Sequence, residues 1–272
     1  MAMRLLSFNA LRTLDFPGVR YVKPERIYHH RDEVMGADFV LYPEYWQVNL
    51  LRYAWKVRLF PSAATYHLGH DKIEMTRALW AVAPAHVPET LILPRSEQAL
   101  EEALDTLGLP LVAKEVRSSM GQGVHLITER RALWDYATHH EILYFQERLP
   151  IQRDLRVVYV GREPLTAYWR AATTGSFHNN VAQGGMVSFA DIPEDALTLV
   201  TQVAQTLGID HAGFDLARVD GHWYFLEFNP LFGNQALMER NIPLTGRVIS
   251  YLQACLAAEL DPAVGNLGTP YP

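Results

Sequence analysis

The sequence predicts a mixed fold, a small α/β unit followed by an α+β region, on three observations. Short apolar runs alternate with amphipathic ones over the first third of the chain. From Leu109 the strands lengthen and come in antiparallel pairs, and an acid-bearing hairpin then stands between two helices. In chain order, candidate strands at 4–8, 19–22, 38–42 and 57–60 alternate with candidate helices at 25–34 and 45–53. Such alternation builds a parallel sheet, and the lack of a Gly-rich turn after the first strand argues against a Rossmann cofactor. A helix over 72–83 and the linker Val87-Pro88-Glu89-Thr90 lead into a strand at 91–93, and Ser96 caps a helix over 99–107. Strands at 111–116 and 123–127 flank the loop Arg117 to Gln122, and a further strand covers 142–147. The segments 155–160 and 165–171 form a hairpin around Gly161-Arg162-Glu163. Helices over 194–207 and 244–260 bracket the last hairpin, and the tail after Asp261 has turn composition.

Bulk properties narrow the function classes. The 272 residues carry 24 basic and 30 acidic side chains, a net charge of −6, without a basic run, which argues against a nucleic-acid surface. The single cysteine, Cys255, excludes an intramolecular disulfide and reads as core packing on the last helix. No apolar stretch reaches the ~20 residues of a membrane span, and no signal-peptide pattern stands at the N-terminus. These absences predict a cytoplasmic protein without a membrane partner.

The chemistry concentrates in the last hairpin, Gly213-Phe214-Asp215-Leu216 and Phe225-Leu226-Glu227-Phe228-Asn229-Pro230. Carboxylates among Leu and Phe are costly to bury unless paired, and an oxygen-only set of two acids and an amide suits Mg²⁺ or Mn²⁺. A two-residue turn at Asp220-Gly221 would pair Asp215 with Leu226 and turn Glu227 to the other face. A three-residue turn, Val219-Asp220-Gly221, puts Asp215, Glu227 and Asn229 on one face, and the metal reading requires that register. An ordinary hairpin with solvated acids is the alternative.

Upstream, Lys114 sits inside the apolar strand Leu111-Val112-Ala113-Lys114, before the small-residue loop Ser118-Ser119-Met120-Gly121-Gln122-Gly123. Such a loop lets backbone N–H groups approach phosphate oxygens while a lysine supplies charge, although no P-loop motif occurs. A turn beside a snorkelling lysine is the alternative. Tyr144-Phe145-Gln146-Glu147-Arg148-Leu149 is a strand end able to meet a purine edge. A three-residue turn at 161–163 puts Asp154, Arg156 and Arg170 on one face, where two arginines beside a metal suit a transferring phosphoryl group. The polar connection 176–185, with Asn180, Gly184 and Gly185, has the composition of a lid.

In this order, Asp71-Lys72, Lys114 with its Gly loop, Gln146-Glu147, Asp154-x-Arg156, Arg170, Asn180, Asp215 and Glu227-x-Asn229 resemble the ATP-grasp superfamily. They look most like its RimK-like branch of carboxylate–amine ligases, the glutamate ligase type, over roughly residues 60–260. The resemblance implies an ATP-grasp fold, two α+β subdomains clasping ATP, preceded by a shortened α/β pre-ATP-grasp domain. The divisions it implies are 1–70 for that domain, 71–149 and 150–262 for the subdomains, and 263–272 for the tail. Lys72, Lys114, Ser118, Ser119, Gly121 and Gly123 would then hold the phosphates. Gln146, Glu147 and Leu149 would frame the adenine, with Asp154 near the ribose or the substrate. Asp215, Glu227 and Asn229 would hold one or two Mg²⁺ or Mn²⁺ ions, and Arg156, Arg170 and Asn180 would meet the γ-phosphate and the acyl phosphate. The expected partners are a small-molecule or peptide carboxylate and an amine, with a homo-oligomer compatible. A phosphotransferase on the same fold and a non-catalytic nucleotide-binding regulator are the alternatives.

Two departures from the family pattern stand out. His178-Asn179-Asn180 lacks a leading basic residue, and Asn229-Pro230-Leu231-Phe232-Gly233 replaces a small-residue turn. His29, His30, His67, His70, His139 and His140 lack zinc spacing and read as surface or core histidines. Tyr42, Tyr45 and Trp46 read as core packing, with a place bordering a substrate as the alternative.

Overall fold

In the computed structural model, residues 3–118, 123–171 and 186–260 are described. The expected site residues Ser119, Gly121 and Asn180, the lid 176–185 and the tail 263–272 lie outside them.

The first third forms a parallel sheet in the order β2-β1-β3-β4, from β1 (Leu5–Ser7), β2 (Arg20–Tyr21), β3 (Phe39–Leu41) and β4 (Leu59–Phe60). Its helical segments cover the predicted spans, at 24–35 and 45–54, but only part of each is α-helix. Pro24 starts a 3-10 turn, Pro24–His30, that passes into α1 (Arg31–Met35), since proline presets a first-turn φ without needing a donor. α2 (Tyr45–Asn49) widens into a π turn, Leu50–Ala54, ahead of Lys56 at φ +56°. α3 (Ala63–Gly69) is capped by Ser62, which accepts from the Thr65 N–H at 3.1 Å. α4 (Lys72–Val82) begins at Asp71, whose carboxylate accepts from the Ile73 and Glu74 N–H groups at 3.0 and 2.9 Å. It stops at Val82, two residues before Pro84, because Ala83, the residue preceding the proline, is driven from helical geometry.

A second, antiparallel sheet runs β5-β8-β6-β7. It comprises β5 (Thr90–Pro94), β6 (Leu111–Lys114), β7 (Val124–Ile127) and β8 (Ile142–Glu147). The helices α5 (Glu97–Leu107), capped by Ser96 as expected, and α6 (Arg130–Thr138) close its core around Leu100, Leu111, Leu133 and Phe145.

The third sheet carries the site. It runs β11-β10-β9-β12-β13, from β9 (Arg153–Val160), β10 (Glu163–Ala171), β11 (Met186–Ser188), β12 (His211–Val219) and β13 (His222–Asn229). Leu155, Val157, Tyr159 and Phe214 pack against α4 and α7 (Glu194–Leu207) on one face. Val158, Val160 and Tyr168 pack on the other against Leu5, Phe39 and Phe60, with α8 (Gln235–Glu239) and α9 (Leu244–Leu260) beside them. Burial on both faces explains why 157–160 reads as a continuous apolar run, each large buried side chain contributing about 1.5–3 kcal/mol. α4 thus belongs by packing to the third sheet, and the linker 87–89 separates it from the second.

Both hairpins correct the expected turns. Val219 pairs with His222, so the last turn is the two-residue Asp220-Gly221, with φ +50° and +82°, and not the three-residue loop. Positive φ at both positions matches the right-handed twist of the flanking strands, and Gly221 supplies one of them without strain. The register then shifts at a bulge, so that Leu216 pairs with Phe225 but Asp215 pairs with Glu227. Leu226 absorbs the extra residue that the sequence reading assigned to the turn. The β9–β10 turn is likewise Gly161-Arg162, since Glu163 pairs with Val160, and a bulge at Leu165 brings Arg170 opposite Asp154. The expected faces are therefore reached through bulges.

Candidate active site

Two buried lysines converge from different elements. Lys72, in the first turn of α4, donates from Nζ to the carbonyl and hydroxyl oxygens of Ser118 at 3.0 and 2.9 Å. Lys114, the last residue of β6, donates to Gln146 Oε1 at 2.6 Å and lies 5.9 Å from the Tyr144 ring. Burial pushes Lys114 down to about 8 and holds Lys72 below the ordinary lysine range, with the charge of Glu227 opposing burial at both. Lys72 on α4 and Lys114 on the second sheet thus share the field of one carboxylate on the third. Gly123, at φ +72°, accepts the Glu115 N–H at 2.7 Å and closes the loop beside them.

On the third sheet, Asp154, Arg156, Arg170 and Asp215 form one buried ion network. Arg170 donates to both oxygens of Asp154 at 2.7 and 2.8 Å and to Asp215 at 2.9 Å. Arg156 grips Asp215 with two N–H groups, through Nε to Oδ1 and through Nη2 to Oδ2 at 2.8 Å. Two guanidiniums balance two carboxylates, which offsets the cost of burying four charges. Burial, helped by the charge of Asp215, raises Asp154 above the ordinary carboxylate range despite Arg170. At Asp215 burial also works upward, but Arg156 and Arg170 overcome it and hold that carboxyl low. Gly213 makes room for this arrangement, since a Cβ there would stand 2.7 Å from Arg156 Nη1.

Glu227 and Asn229 share the face of Asp215, because Asp215 pairs with Glu227 and Gly213 with Asn229. Asn229 Nδ2 donates to Glu227 Oε1 at 3.0 Å, which leaves its amide oxygen for another donor or a cation. The oxygen-only donors Glu227 and Asn229 fit a hard divalent ion. Asp215 has both oxygens on guanidiniums and would have to share them to join that set.

The three residues expected to frame the adenine have partners within the fold. Gln146 turns its side chain away from the strand end, into the sheet toward Lys114 and Thr90. Glu147 accepts the Glu89 N–H at 2.8 Å, and its own N–H returns to the Glu89 carbonyl at 2.9 Å, so it fastens the linker. The Leu149 carbonyl accepts from the Ile151 N–H at 2.9 Å.

Several residues around the site escaped the sequence reading. His211 donates from Nδ1 to the Pro230 carbonyl at 2.8 Å, and Arg12 donates to the Leu231 and Phe232 carbonyls at 2.8 and 3.3 Å. Together they hold the turn that follows Asn229 from the N-terminal unit and from β12. Burial pushes His211 down to about 3, so it is neutral in the fold. Tyr45 and Trp46 are 41 % and 54 % exposed, against the expected core role, and the Tyr45 ring stacks on His70 at 3.4 Å. Among the described residues no cluster of three His, Cys, Asp or Glu side chains forms a metal site. No helix among them is long and apolar enough to cross a membrane.

Comparison with known proteins gives the family and the fold of the chain. The model of the RimK-like ATP-grasp domain matches residues 69–252. A probable alpha-L-glutamate ligase of Enterobacter sp. is 32 % identical over 214 residues, 72 % of this chain and 70 % of that protein. A ribosomal protein bS6–L-glutamate ligase of Salmonella paratyphi B is 29 % identical over 58 % of this chain and 55 % of its own length. Among solved structures, a RimK domain ATP-grasp protein from Sphaerobacter thermophilus superposes with a TM-score of 0.67 at 17 % identity, covering 91 % of this chain and 98 % of that one. D-alanine–D-alanine ligase from Bacillus anthracis complexed with ATP superposes with a TM-score of 0.69 at 15 % identity, covering 94 % and 96 %.

Proposed function

The chain belongs to the RimK-like ATP-grasp family of ATP-dependent carboxylate–amine ligases, and we propose that this member joins L-glutamate to a peptide or protein carboxylate. The observation that carries the site reading is the convergence of Lys72 and Lys114 on the field of Glu227, beside the Arg156–Arg170 pair. That arrangement offers positive charge to a polyphosphate from one side and oxygen donors to its counter-ion from the other. When bound, a divalent cation would neutralise phosphate charge, with Glu227 and Asn229 the residues that would hold it. Lys72 and Lys114 would orient the phosphates, and Arg156 and Arg170 would face the group in transfer. The acceptor carboxylate displaces ADP from the γ-phosphorus and becomes an acyl phosphate. The amine then attacks the acyl carbon, phosphate leaves, and the amine loses a proton. The glutamate assignment draws on two relatives named as glutamate ligases.

A pH dependence follows from Lys114. The free enzyme binds a polyphosphate best with Lys114 protonated, and burial holds that group at about 8. ATP affinity is therefore expected to fall about tenfold between pH 7 and pH 9, measured as the dissociation constant at saturating Mg²⁺.

The proposal itself is tested by ADP release in the presence of ATP, Mg²⁺, a glutamate-ended peptide and free glutamate. The expected result is a peptide one glutamyl residue heavier, formed with stoichiometric ADP. A stable phosphorylated peptide, formed without amine, would assign the chain to phosphotransfer instead.

A further inference from the structure

Lys114 does not reach its position unaided. Thr90, Gln146 and Lys114 lie on one face of the second sheet, on adjacent strands β5, β8 and β6. Gln146 pairs with Thr90 on one side and with Val112 on the other. Lys114 is therefore diagonal to Gln146, within reach of a long side chain. The hydrogen bonds run in one direction. Lys114 Nζ donates to Gln146 Oε1 at 2.6 Å, Gln146 Nε2 donates to Thr90 Oγ1 at 2.8 Å, and the Thr90 hydroxyl donates to the Pro88 carbonyl at 2.6 Å. All three residues are buried, at 8 %, 4 % and 6 % exposure, which limits the competition of water for these bonds. The direction also fixes which end of the Gln146 amide meets the ammonium, because Thr90 spends its proton on a carbonyl that can only accept.

The chain of bonds ends on the linker between the two sheets. On one side of that linker, His86 donates from Nδ1 to the Trp223 carbonyl at 2.8 Å and His222 donates from Nε2 to the Ala85 carbonyl at 2.7 Å, tying it to the third sheet. On the other side Gln146 and Glu147 hold Pro88 and Glu89 to the second sheet, through Thr90 and directly. We infer that Gln146, oriented by Thr90, is a positioning residue that holds the Lys114 ammonium for the nucleotide phosphates and ties its placement to the inter-sheet linker. This rests on the nucleotide-site reading above, and it replaces the adenine-framing role expected for Gln146.

The test is titration of ATP and of AMP into the intact protein and its variants by calorimetry, with folding checked by thermal melts. Gln146→Met keeps length but removes the acceptor, and Thr90→Val keeps shape but removes the hydroxyl. ATP affinity is expected to fall about tenfold in the first and about threefold in the second, with AMP affinity within about twofold of the parent. Thr90→Ser keeps the hydroxyl and restores the parent value. Adding Gln146→Met to Lys114→Met is expected to cost no more ATP affinity than Lys114→Met alone, because both act through one ammonium. Equal loss of ATP and AMP affinity in Gln146→Met would overturn the proposal in favour of adenine contact. Unchanged ATP affinity in Gln146→Met and Thr90→Val, with loss in Lys114→Met, would overturn it while leaving the nucleotide site standing. Unchanged affinity in Lys114→Met would remove the site reading as well.

Discussion

Replacing Arg170 by leucine is expected to destabilise the fold by about 3–5 kcal/mol, the usual cost of leaving a buried charge without its partner. Arg170 satisfies both oxygens of Asp154 and shares Asp215 with Arg156, and all four groups are shielded from water. Without it, Asp154 has no counter-charge in its first contacts and Asp215 keeps only Arg156. The variant should show an earlier denaturation midpoint with an unchanged slope. Its pH dependence has a defined sign. Asp154 already binds its proton more tightly in the fold than in the unfolded chain, so its contribution to stability falls as pH rises through the carboxylate range. Removing Arg170 enlarges that difference, and the deficit of the variant should shrink as pH is lowered from 7 toward 5. Asp154→Leu added to Arg170→Leu should recover a large part of the loss, because the unpaired charge is then gone. A loss of under about 1 kcal/mol in Arg170→Leu would mean that the network is solvated like a surface pair.

Glu227→Ala should remove turnover, by about 10³-fold or more, while leaving the melting temperature within a few degrees. Glu227 is half-buried and bonds only to Asn229 among the described side chains, so its removal leaves no large cavity. Its proposed weight lies in its charge, which acts on both Lys72 and Lys114, and in its oxygens, which with Asn229 would hold the cation of the proposed site. Steady-state ADP release at saturating ATP and Mg²⁺ reads the effect. Activity near that of the parent would remove Glu227 from the metal role.

The architecture was legible where the pattern was periodic, and the site was legible where polar residues interrupted apolar strands. Lys114, Arg156, Arg170 and Asp215 stand out for that reason, since a charge inside an apolar strand needs a partner. The register was legible only in its result. Asp220-Gly221 encodes the tight turn, but nothing local announces the bulge at Leu226 that brings Asp215 opposite Glu227. The partners of Gln146 were hidden for a different cause, because Thr90 and Lys114 lie 56 and 32 residues away and meet it only when three strands align. Arg12 is the extreme case, holding carbonyls 219 and 220 residues distant. The exposed ring of Trp46 defeated the apolar pattern because a large aromatic on a short helix reads alike whether it faces core or solvent.

One measurement tests the central claim most directly. A glutamate-ended peptide labelled with oxygen-18 in its carboxylates is incubated with the protein, ATP, Mg²⁺ and glutamate, and the inorganic phosphate is analysed by mass. Acyl-phosphate chemistry moves one labelled oxygen from the carboxylate into each phosphate released, in step with amide formation. Phosphate free of label, released while the peptide is extended, would contradict the account.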